Sequence, residues 1–298
     1  MTKKVLVTGS AGFIAPHVIE ACSNMGWQVV GIDILETQNQ LAKSNITYLK
    51  KNIFDLKEKD LMGFDYVAHM AFITNIPSSI QRPVETTYEN IDMTAYFLKQ
   101  CAVVGVKKFV FPSTASLYGN NPIPWTEDMS ADPIEPYSWQ KLSCEFLCKM
   151  WTKRYGLPTT TLRLYQVFGE NQRQDTALSA FIRSKKTGKP ITLTETTAQS
   201  TFKTGRRDFI YVKDVAKAFV ATMTSDKTGK GEILNIGSGK MHTMEDIAKT
   251  IGSEIVFIPK RNFEVEAHQA DMTKCYYLID WKPEVEIISW LKNFIKNI

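Results

Sequence analysis

The sequence lacks an apolar run long enough to cross a membrane, which takes about 18 to 20 consecutive apolar residues. The segment Met1-Thr2-Lys3-Lys4 passes directly into an apolar strand-like run, so we expect no secretory signal peptide. Cysteine is also scarce, with 5 residues among 298, which is an odd number. We therefore expect reduced thiols, as is typical of a cytoplasmic protein.

Metal ligands and basic clusters are equally scarce. Cys144 and Cys148 share a helix face, but no further ligand joins them, so core packing is the better interpretation. The 4 histidines have no metal-like spacing, and we interpret all of them as structural: His17, His69, His242 and His268. No basic run exceeds two residues despite a net charge of +5. This composition indicates no metal, disfavours nucleic acid as a partner and favours an anionic ligand.

Strand-like and helical stretches alternate over the first half of the chain. Strands are predicted at 5–8, 29–32, 66–68, 108–111 and 159–164, and helices at 13–25, 86–104 and 136–155. Because parallel strands need crossover helices, this order predicts an α/β fold, a doubly wound parallel sheet with helices on both faces. After about residue 165 the alternation loosens, and predicted helices at 212–224, 243–251 and 285–297 alternate with short strands.

A glycine-rich turn links the first strand to the first helix. Gly9 and Gly12 allow backbone N–H groups and the positive helix end to approach a pyrophosphate, and Ala15 is small enough for close helix-to-strand packing. Asp33 ends the second strand, where a carboxylate can accept both ribose hydroxyls of adenosine and repel a 2′-phosphate. Together these residues favour NAD over NADP. Alternatively, Asp33 only caps the turn that follows it.

Tyr137 and Lys141 lie four residues apart at the start of a predicted helix. Residues at this spacing share a helix face, so the ammonium can favour the ionised phenol and help it to act as a base. The alternative is an ordinary pair on a surface helix. Thr114 follows the strand 108–111 at the carboxyl edge of the sheet, where α/β proteins bind ligands, and its hydroxyl can hydrogen-bond a substrate oxygen there.

In their order along the chain, these motifs resemble the extended short-chain dehydrogenases of the NAD-dependent epimerase/dehydratase family, of which UDP-glucose 4-epimerase is the familiar member. The matching stretches are the Gly9 turn, Asp33, 69–71, Asn90, 113–119, 137–141, 162–163, 207–216, 235–239 and 281–283. The resemblance implies Tyr137 as the acid/base, Lys141 as its partner and as a ligand of the nicotinamide ribose, and Thr114 as the hydroxyl that orients the sugar.

The same resemblance implies NAD as cofactor, a nucleotide-diphosphate sugar as substrate, and a homodimer formed through the helices near 86–104 and 136–155. We expect residues 1–165 to form a Rossmann-type NAD-binding lobe, to which 206–236 return. Residues 166–205 and 237–298 are expected to form a smaller C-terminal lobe that binds the substrate.

The resemblance also implies, by position in the family pattern, which residues bind the cofactor and which bind the substrate. The cofactor set is Gly9, Gly12, Phe13, Ile14, Asp33, Ile34, Asn52, Ile53, Ala71, Asn90, Tyr137 and Lys141. The substrate set is Thr74, Ser116, Gln166, Arg207 and Arg261. A guanidinium suits phosphate oxygens, which makes the two arginines candidates for the diphosphate, with exposed salt bridges as the alternative.

The chain departs from the family pattern at several of these positions. Dehydratases of the family carry Asp-Glu after the catalytic threonine, whereas Ala115 and Ser116 stand there in this chain. Without that carboxylate, elimination of water is not expected. The other departures are Phe72 for a usually small residue, Asn52 for an acid that reaches adenine, Gln166 for an asparagine that holds the diphosphate, and 194–205 for a short glycine turn.

These observations predict an NAD-dependent nucleotide-diphosphate-sugar epimerase that acts at C4 through a transient 4-keto sugar. Tyr137 as phenolate removes the hydroxyl proton while C4 passes hydride to the nicotinamide, and return of the hydride to the other face completes the epimerisation. One alternative is an NAD(P)-dependent nucleotide-sugar 4-dehydrogenase or reductase with net hydride transfer. Another is a non-catalytic nucleotide- or RNA-binding relative, although such relatives usually lose the tyrosine or the lysine.

Overall fold

The computed structural model describes residues 2–38, 40–197, 199–260 and 265–297. The strands are β1 (Lys4–Thr8), β2 (Gln28–Asp33), β3 (Ile46–Lys50), β4 (Tyr66–His69), β5 (Lys108–Thr114), β6 (Thr159–Leu164), β7 (Gln166–Phe168), β8 (Ile191–Thr194), β9 (Arg206–Tyr211), β10 (Glu232–Ile236), β11 (Met241–Thr243) and β12 (Ile255–Ile258). The helices are α1 (Ala15–Asn24), α2 (Glu58–Leu61), α3 (Ile76–Gln81), α4 (Pro83–Thr87), α5 (Met93–Val104), α6 (Pro136–Tyr155), α7 (Ala177–Thr187), α8 (Val212–Thr224), α9 (Met244–Ile251), α10 (Thr273–Ile279) and α11 (Ile287–Ile295). Within these ranges, no helix combines the length and the apolar character that crossing a bilayer requires.

Seven parallel strands form the main sheet in the order β10-β6-β5-β4-β1-β2-β3. The direction of winding reverses between β1 and β4, so a crevice opens beyond the carboxyl ends of these two strands. Helices α1 and α8 pack together on one face, and α5 and α6 pack together on the other. This arrangement confirms the predicted doubly wound parallel sheet.

Strand β1 shows how a parallel strand is buried on both faces. Val5 and Val7 pack with the α1 and α8 side chains, whereas Leu6 packs with those of α5 and α6. All three side chains are 0% exposed. Because successive side chains of a strand point to opposite faces, both faces need apolar residues, and the strand appears in the sequence as a continuous apolar run.

A second set of strands lies outside the main sheet. Strands β11, β9 and β7 form a three-stranded sheet, and β12 pairs with β8. A separate apolar cluster joins these strands to α7, α9 and α11, with Phe168, Ile182, Ile247 and Leu291 among its members. Of the segment 206–236, β9 joins the small sheet, α8 packs on α1, and β10 joins the main sheet. The division into two lobes at the predicted residues stays a prediction.

Two elements differ from those predicted. The predicted helix at 86–104 is divided into α4, which ends at Thr87, a π-helical turn over Tyr88–Asp92, and α5. Strand β3 lies at the edge of the main sheet and is largely exposed. An edge strand that does not bury both faces needs no continuous apolar run, so the sequence carries no clear sign of it.

Helix α6 is attached to the main sheet along its length. Lys141 Nζ donates to the Pro112 carbonyl at 2.6 Å. Arg163 on β6 donates to both carboxylate oxygens of Glu145, from Nε at 3.0 Å and from Nη2 at 2.8 Å. Thr159 Oγ1 donates to a carbonyl of α6 at 3.0 Å. The helix that carries the predicted Tyr–Lys pair is therefore fixed relative to β5 and β6.

The buried Arg163–Glu145 ion pair yields a stability prediction, because its side chains are only 4% and 2% exposed. Glu145→Leu leaves the guanidinium buried without a carboxylate, and we expect the free energy of unfolding to fall by about 3–5 kcal/mol in urea denaturation. The double variant Glu145→Leu/Arg163→Met removes both charges and should regain most of this loss. If the single and double variants lost the same free energy of unfolding, the uncompensated charge would not be the cause of the loss.

Candidate active site

A cleft of about 400 Å³ opens at the carboxyl edge of the main sheet. Its walls come from the glycine turn after β1, the segment 70–77 after β4, the end of β5, the start of α6 and the segment 164–176. Parallel strands bring these segments together, because their carboxyl ends meet at one edge. The predicted site residues that line the cleft are Gly9, Gly12, Phe13, Ile14, Thr74, Thr114, Ser116, Tyr137, Lys141 and Gln166.

Gly9 lets the turn after β1 pass against the segment after β4. Its φ is +72°, and a Cβ at this position would lie 2.7 Å from the backbone nitrogen of Ala71. The Thr8 hydroxyl fastens the same contact, since it accepts from the backbone N–H groups of Met70 at 3.0 Å and Ala71 at 3.1 Å. No side chain caps the N-terminus of α1, where Pro16 has no N–H and the His17 N–H donates to the Ile14 carbonyl at 3.1 Å, so an anion would meet the Ala15 N–H and the positive helix end. This cradle fits a dinucleotide pyrophosphate.

Asp33 ends β2 beside the glycine turn. Its Oδ2 accepts from the Ala11 N–H at 3.0 Å, and its Oδ1 accepts from the Leu35 N–H at 2.9 Å. The carboxylate therefore caps the turn that follows it, as the alternative interpretation expects, and also braces the glycine turn. A carboxylate oxygen has two acceptor sites, so both oxygens can still accept from a ribose hydroxyl. The two interpretations of Asp33 are compatible.

Six predicted cofactor residues do not line the cleft: Asp33, which lies beside the glycine turn, Asn90, and four residues that follow β2, β3 and β4. Asn52 caps a 3-10 turn by accepting from the Phe54 N–H at 3.0 Å, and Ile53 is buried in the core. Ile34 is 62% exposed on the surface after β2. Ala71 serves through its backbone, as described above. Local capping and core packing engage the side chains of Asn52 and Ile53, and their role as cofactor-binding residues stays a prediction.

Asn90 also lies outside the cleft, and its amide is engaged by protein groups. Its Oδ1 accepts from the Ile73 N–H at 2.7 Å, and its Nδ2 donates to Gln140 Oε1 at 2.8 Å. Gln140 in turn donates to the Thr86 hydroxyl at 3.0 Å. Asn90 therefore anchors the segment 70–77 to α6, and its predicted role at the cofactor stays a prediction.

Arg207, one of the two predicted diphosphate arginines, does not line the cleft. Arg207 lies on β9, where its Nη1 donates to the carbonyls of Arg206 at 2.9 Å and Glu266 at 3.3 Å. Arg261 falls outside the described residues. The role of Arg207 at a diphosphate stays a prediction.

Tyr137 stands in the first turn of α6. Glu135 caps this helix, with both carboxylate oxygens 3.1 Å from the Ser138 backbone nitrogen, and Pro136 opens it. Burial raises the pKa of Tyr137 to about 12, and the Glu135 charge acts in the same direction. A hydrogen-bonding contact with the Thr114 hydroxyl and the Arg173 charge both lower this pKa. The phenol thus lies beside the predicted sugar-orienting hydroxyl.

Lys141 does not act on the phenol as the i,i+4 spacing predicts. Its Nζ donates to Pro112 and lies 3.7 Å from the ring centroid of Phe72 and 4.5 Å from that of Phe111. Burial lowers the pKa of Lys141 to about 7. The prediction is corrected because the spacing places both side chains on one helix face, whereas a carbonyl and two aromatic rings hold the ammonium.

Arg173 is the candidate site residue that the sequence analysis misses. Its Nη1 donates to the Thr74 hydroxyl, and its Nε donates to Asp175 Oδ1 at 3.0 Å. Asn75 Nδ2 donates to the other oxygen of Asp175 at 3.0 Å. These bonds join the two walls of the cleft across a sequence separation of 99 residues between Arg173 and Thr74. In the sequence, the only indication of this role is a positively charged residue in the irregular segment that follows β7.

His69 is buried near the cleft, and both of its ring nitrogens contact threonine hydroxyls. Its Nδ1 lies 2.9 Å from the Thr8 hydroxyl, and its Nε2 lies 3.2 Å from the Thr94 hydroxyl. Burial, with a smaller contribution from the Lys141 charge, lowers the pKa of His69 to about 3, so the ring is neutral near pH 7. Across the described ranges, no group of three or more His, Cys, Asp or Glu side chains could hold a metal ion.

A second cavity of about 380 Å³ adjoins the cleft. The two share Asp175 and Thr176, and the second is lined by residues of α7 and β8 together with Gly205 and Met244. Thr176 caps α7 by accepting from the Ser179 N–H at 3.2 Å. The cleft and the second cavity together offer an elongated path that passes the positive end of a helix, which suits a ligand with an anionic middle.

The fold and the cleft are those of an α/β enzyme that binds a dinucleotide and has the phenol of Tyr137 in its candidate active site. A profile of the NAD dependent epimerase/dehydratase family matches residues 5–237, so the chain belongs to this family, and NAD is its cofactor. The solved UDP-N-acetylglucosamine 4-epimerase from Methanobrevibacter ruminantium M1 is similar, with a TM-score of 0.90 and 29% identity over 99% of this chain and 97% of that one.

Two further comparisons mark the range of the family. The UDP-glucuronic acid 4-epimerase from Bacillus cereus, solved with UDP-glucuronic acid and NAD, has a TM-score of 0.88 and 29% identity over 99% of both chains. The dTDP-D-glucose 4,6-dehydratase of Mus musculus is 30% identical over 89% of this chain and 75% of that protein. The family therefore joins epimerases and dehydratases on one fold, and the site residues must distinguish them.

Gly9 and Gly26 provide a matched test of the nucleotide turn. Both have positive φ, +72° and +75°, but only Gly9 is crowded, since a Cβ at Gly26 would meet nothing within 4 Å. Gly9→Ala should raise the Kd for NAD at least about tenfold, because the turn must move away from Ala71. Gly26→Ala should only lower stability, by about 1 kcal/mol. Calorimetric NAD titrations check this, and equal Kd values for both variants would contradict it.

Proposed function

We propose that the protein is an NAD-dependent nucleotide-diphosphate-sugar epimerase that inverts C4. The observation that carries this proposal is the phenol of Tyr137 beside the Thr114 hydroxyl, in a cleft whose other wall is the glycine turn. A carbinol placed between these groups can lose its proton to the phenolate while its oxygen stays hydrogen-bonded. Membership in the family and the fold shared with two 4-epimerases support the same reaction.

The chain provides a holder for each part of the cofactor. Gly9, Gly12 and the N-terminus of α1 would hold the pyrophosphate, Asp33 the adenosine ribose, and Lys141 the nicotinamide ribose. When bound, NAD supplies a reversible two-electron acceptor for the carbinol carbon.

Tyr137 moves the proton in this reaction. It takes the proton of the C4 hydroxyl to give a 4-keto sugar and returns it when the alcohol re-forms with inverted configuration. Burial favours the neutral phenol, so the cation Arg173 and the Thr114 hydroxyl are needed to stabilise the phenolate. Thr114 also holds the oxygen that loses and regains the proton.

The substrate would extend from the cleft into the adjoining cavity. Thr74, Ser116 and Gln166 line the same cleft as the phenol, where a sugar ring would lie. The diphosphate would pass the N-terminus of α7, and Arg207 is proposed as its further ligand. The two solved 4-epimerases were studied with UDP-linked sugars, so UDP-sugars are the first substrates to test.

We further propose that the enzyme is not a dehydratase. Ala115 and Ser116 follow Thr114, so no carboxylate stands where elimination needs a base. Asp175 is the one acidic residue among the described residues that line the cleft. Arg173 and Asn75 engage its two oxygens, and an ion-paired carboxylate is a weak base.

The reaction can be tested by incubating the protein and NAD with UDP-, dTDP- and GDP-sugars. NMR should show the C4 epimer without a net absorbance change at 340 nm. Tyr137→Phe should lower kcat by about 10²- to 10⁴-fold, because it removes the acid/base group. Thr114→Val should also lose activity, whereas Thr114→Ser, which keeps the hydroxyl, should retain it. Stoichiometric NADH would instead indicate a dehydrogenase, and a 4-keto-6-deoxy sugar would indicate a dehydratase.

An apolar surface on α5 and α6 supports the proposed homodimer. Phe146 and Trp139 on α6 are 65% and 50% exposed, and Val103 on α5 is 57% exposed. The two helices pack against each other, so these side chains belong to one face of the subunit. Large exposed apolar patches mark interfaces, and most oligomers of one chain pair the same patch across a twofold axis. We propose that this face joins two copies.

Phe146→Glu tests the proposed interface by placing a charge on it. Sedimentation velocity should show a dimer for the unmodified protein and a monomer for this variant, since a buried unpaired carboxylate disfavours association. Tyr277→Glu is a matched control, because Tyr277 is 70% exposed on α10 and lies outside this face. A monomeric unmodified protein, or a dimer of the Phe146→Glu variant, would contradict the proposal.

A further inference from the structure

Phe72 contacts both residues of the Tyr–Lys pair. Its ring centroid lies 3.7 Å from Nζ of Lys141, and its ring meets that of Tyr137 edge-on with the centroids 6.1 Å apart. It also meets Phe111 edge-on at 6.0 Å. One side chain therefore contributes to the surroundings of both the lysine and the phenol.

The backbone on both sides of Phe72 is anchored. The Ala71 N–H donates to Thr8, and the Ile73 N–H donates to Asn90 at 2.7 Å. Because both neighbours are held by buried side chains, the Cα of Phe72 is fixed relative to α6. The anchored backbone fixes where the side chain starts, and the edge-on contacts with Phe111 and Tyr137 define where the ring lies.

Aromatic rings provide a large part of the surroundings of the Lys141 ammonium. Its one hydrogen-bond acceptor among the described residues is the Pro112 carbonyl, and the faces of Phe72 and Phe111 cover it from other sides. The carboxylate one turn along the helix, Glu145, is paired with Arg163. A desolvated ammonium over a ring face is held by the ring quadrupole, and this attraction grows as water is excluded.

We propose that Phe72 competes with NAD for the ammonium of Lys141 and so weakens the binding of the cofactor. The inference rests on the proposed function, in which Lys141 holds the nicotinamide ribose. An ammonium has three N–H donors, and Pro112 engages one of them. A ribose hydroxyl must reach another donor past the ring of Phe72, so binding costs the contact between ring and cation.

The sign of the effect separates competition from a structural role. If Phe72 only packed the cleft wall, its truncation would loosen the wall and raise the Kd for NAD. If it competes for the ammonium, its truncation frees Lys141 and lowers the Kd. Phe72→Leu retains most of the side-chain volume without a ring face, whereas Phe72→Tyr keeps the ring face.

Calorimetric titration of cofactor-free protein with NAD measures these Kd values. Phe72→Ala and Phe72→Leu should each lower the Kd by about 3- to 30-fold, the range that the loss of a cation–π contact implies. Phe72→Tyr should stay within about twofold of the unmodified protein. An unchanged or higher Kd for the alanine or leucine variant would overturn the proposal. Thermal melting confirms that each variant is folded.

A second background shows whether the effect acts through the lysine. In Lys141→Met, which has no ammonium, Phe72→Ala should leave the Kd for NAD unchanged, and a decrease there would overturn the proposal. NAD binding and sugar turnover of the unmodified protein are measured in parallel. Failure of both would reject the proposed function, whereas normal binding and turnover without tighter binding in the variants would reject only the role of Phe72.

Discussion

The close approach of the backbone at Gly9 to the backbone at Ala71 is the constraint on which the site depends. A single added methyl group would lie 2.7 Å from a backbone nitrogen, and the Thr8 hydroxyl holds the two segments at this distance. Phe72 and Thr74 follow directly after this contact. Packing at the nucleotide turn therefore also decides which groups meet Lys141 and Arg173 in the same cleft.

Helix α6 presents Tyr137 and Lys141 on one face, yet their surroundings give them different partners. Lys141 is held by a carbonyl and two rings. Burial has the largest influence on the pKa of Tyr137 and raises it, the Thr114 hydroxyl lowers it, and Arg173, which Asp175 and Thr74 orient, makes a smaller contribution in the same direction as Thr114. The acidity of the phenol therefore depends on the end of β5 and on the segment after β7 as well as on the helix.

The main sheet could be predicted because strands buried on both faces must be continuously apolar, as β1 is. The glycine turn, Tyr137 and Thr114 could be placed at one edge of the sheet because a glycine turn after a strand, a strand end and a helix start give their positions, and the family resemblance supplied their roles. Arg173 could not, because it acts across 99 residues from a segment without periodicity. The groups that hold the Lys141 ammonium could not be predicted either. The spacing along a helix fixes where a long side chain starts, whereas the neighbouring residues decide where its end group lies.

The attachments of α6 have a consequence for how this site can change. Bonds from Lys141, Glu145 and Thr159 hold the helix in register with β5 and β6 along its length. The two walls of the cleft formed by residues 70–77 and 164–176 are mostly irregular chain, and side-chain hydrogen bonds join them to each other. Arg173, whose charge lowers the pKa of Tyr137, and Phe72, which covers Lys141, belong to these same segments. Remodelling them for another sugar would therefore also change the surroundings of the reacting groups, so this scaffold couples the choice of substrate to the chemistry.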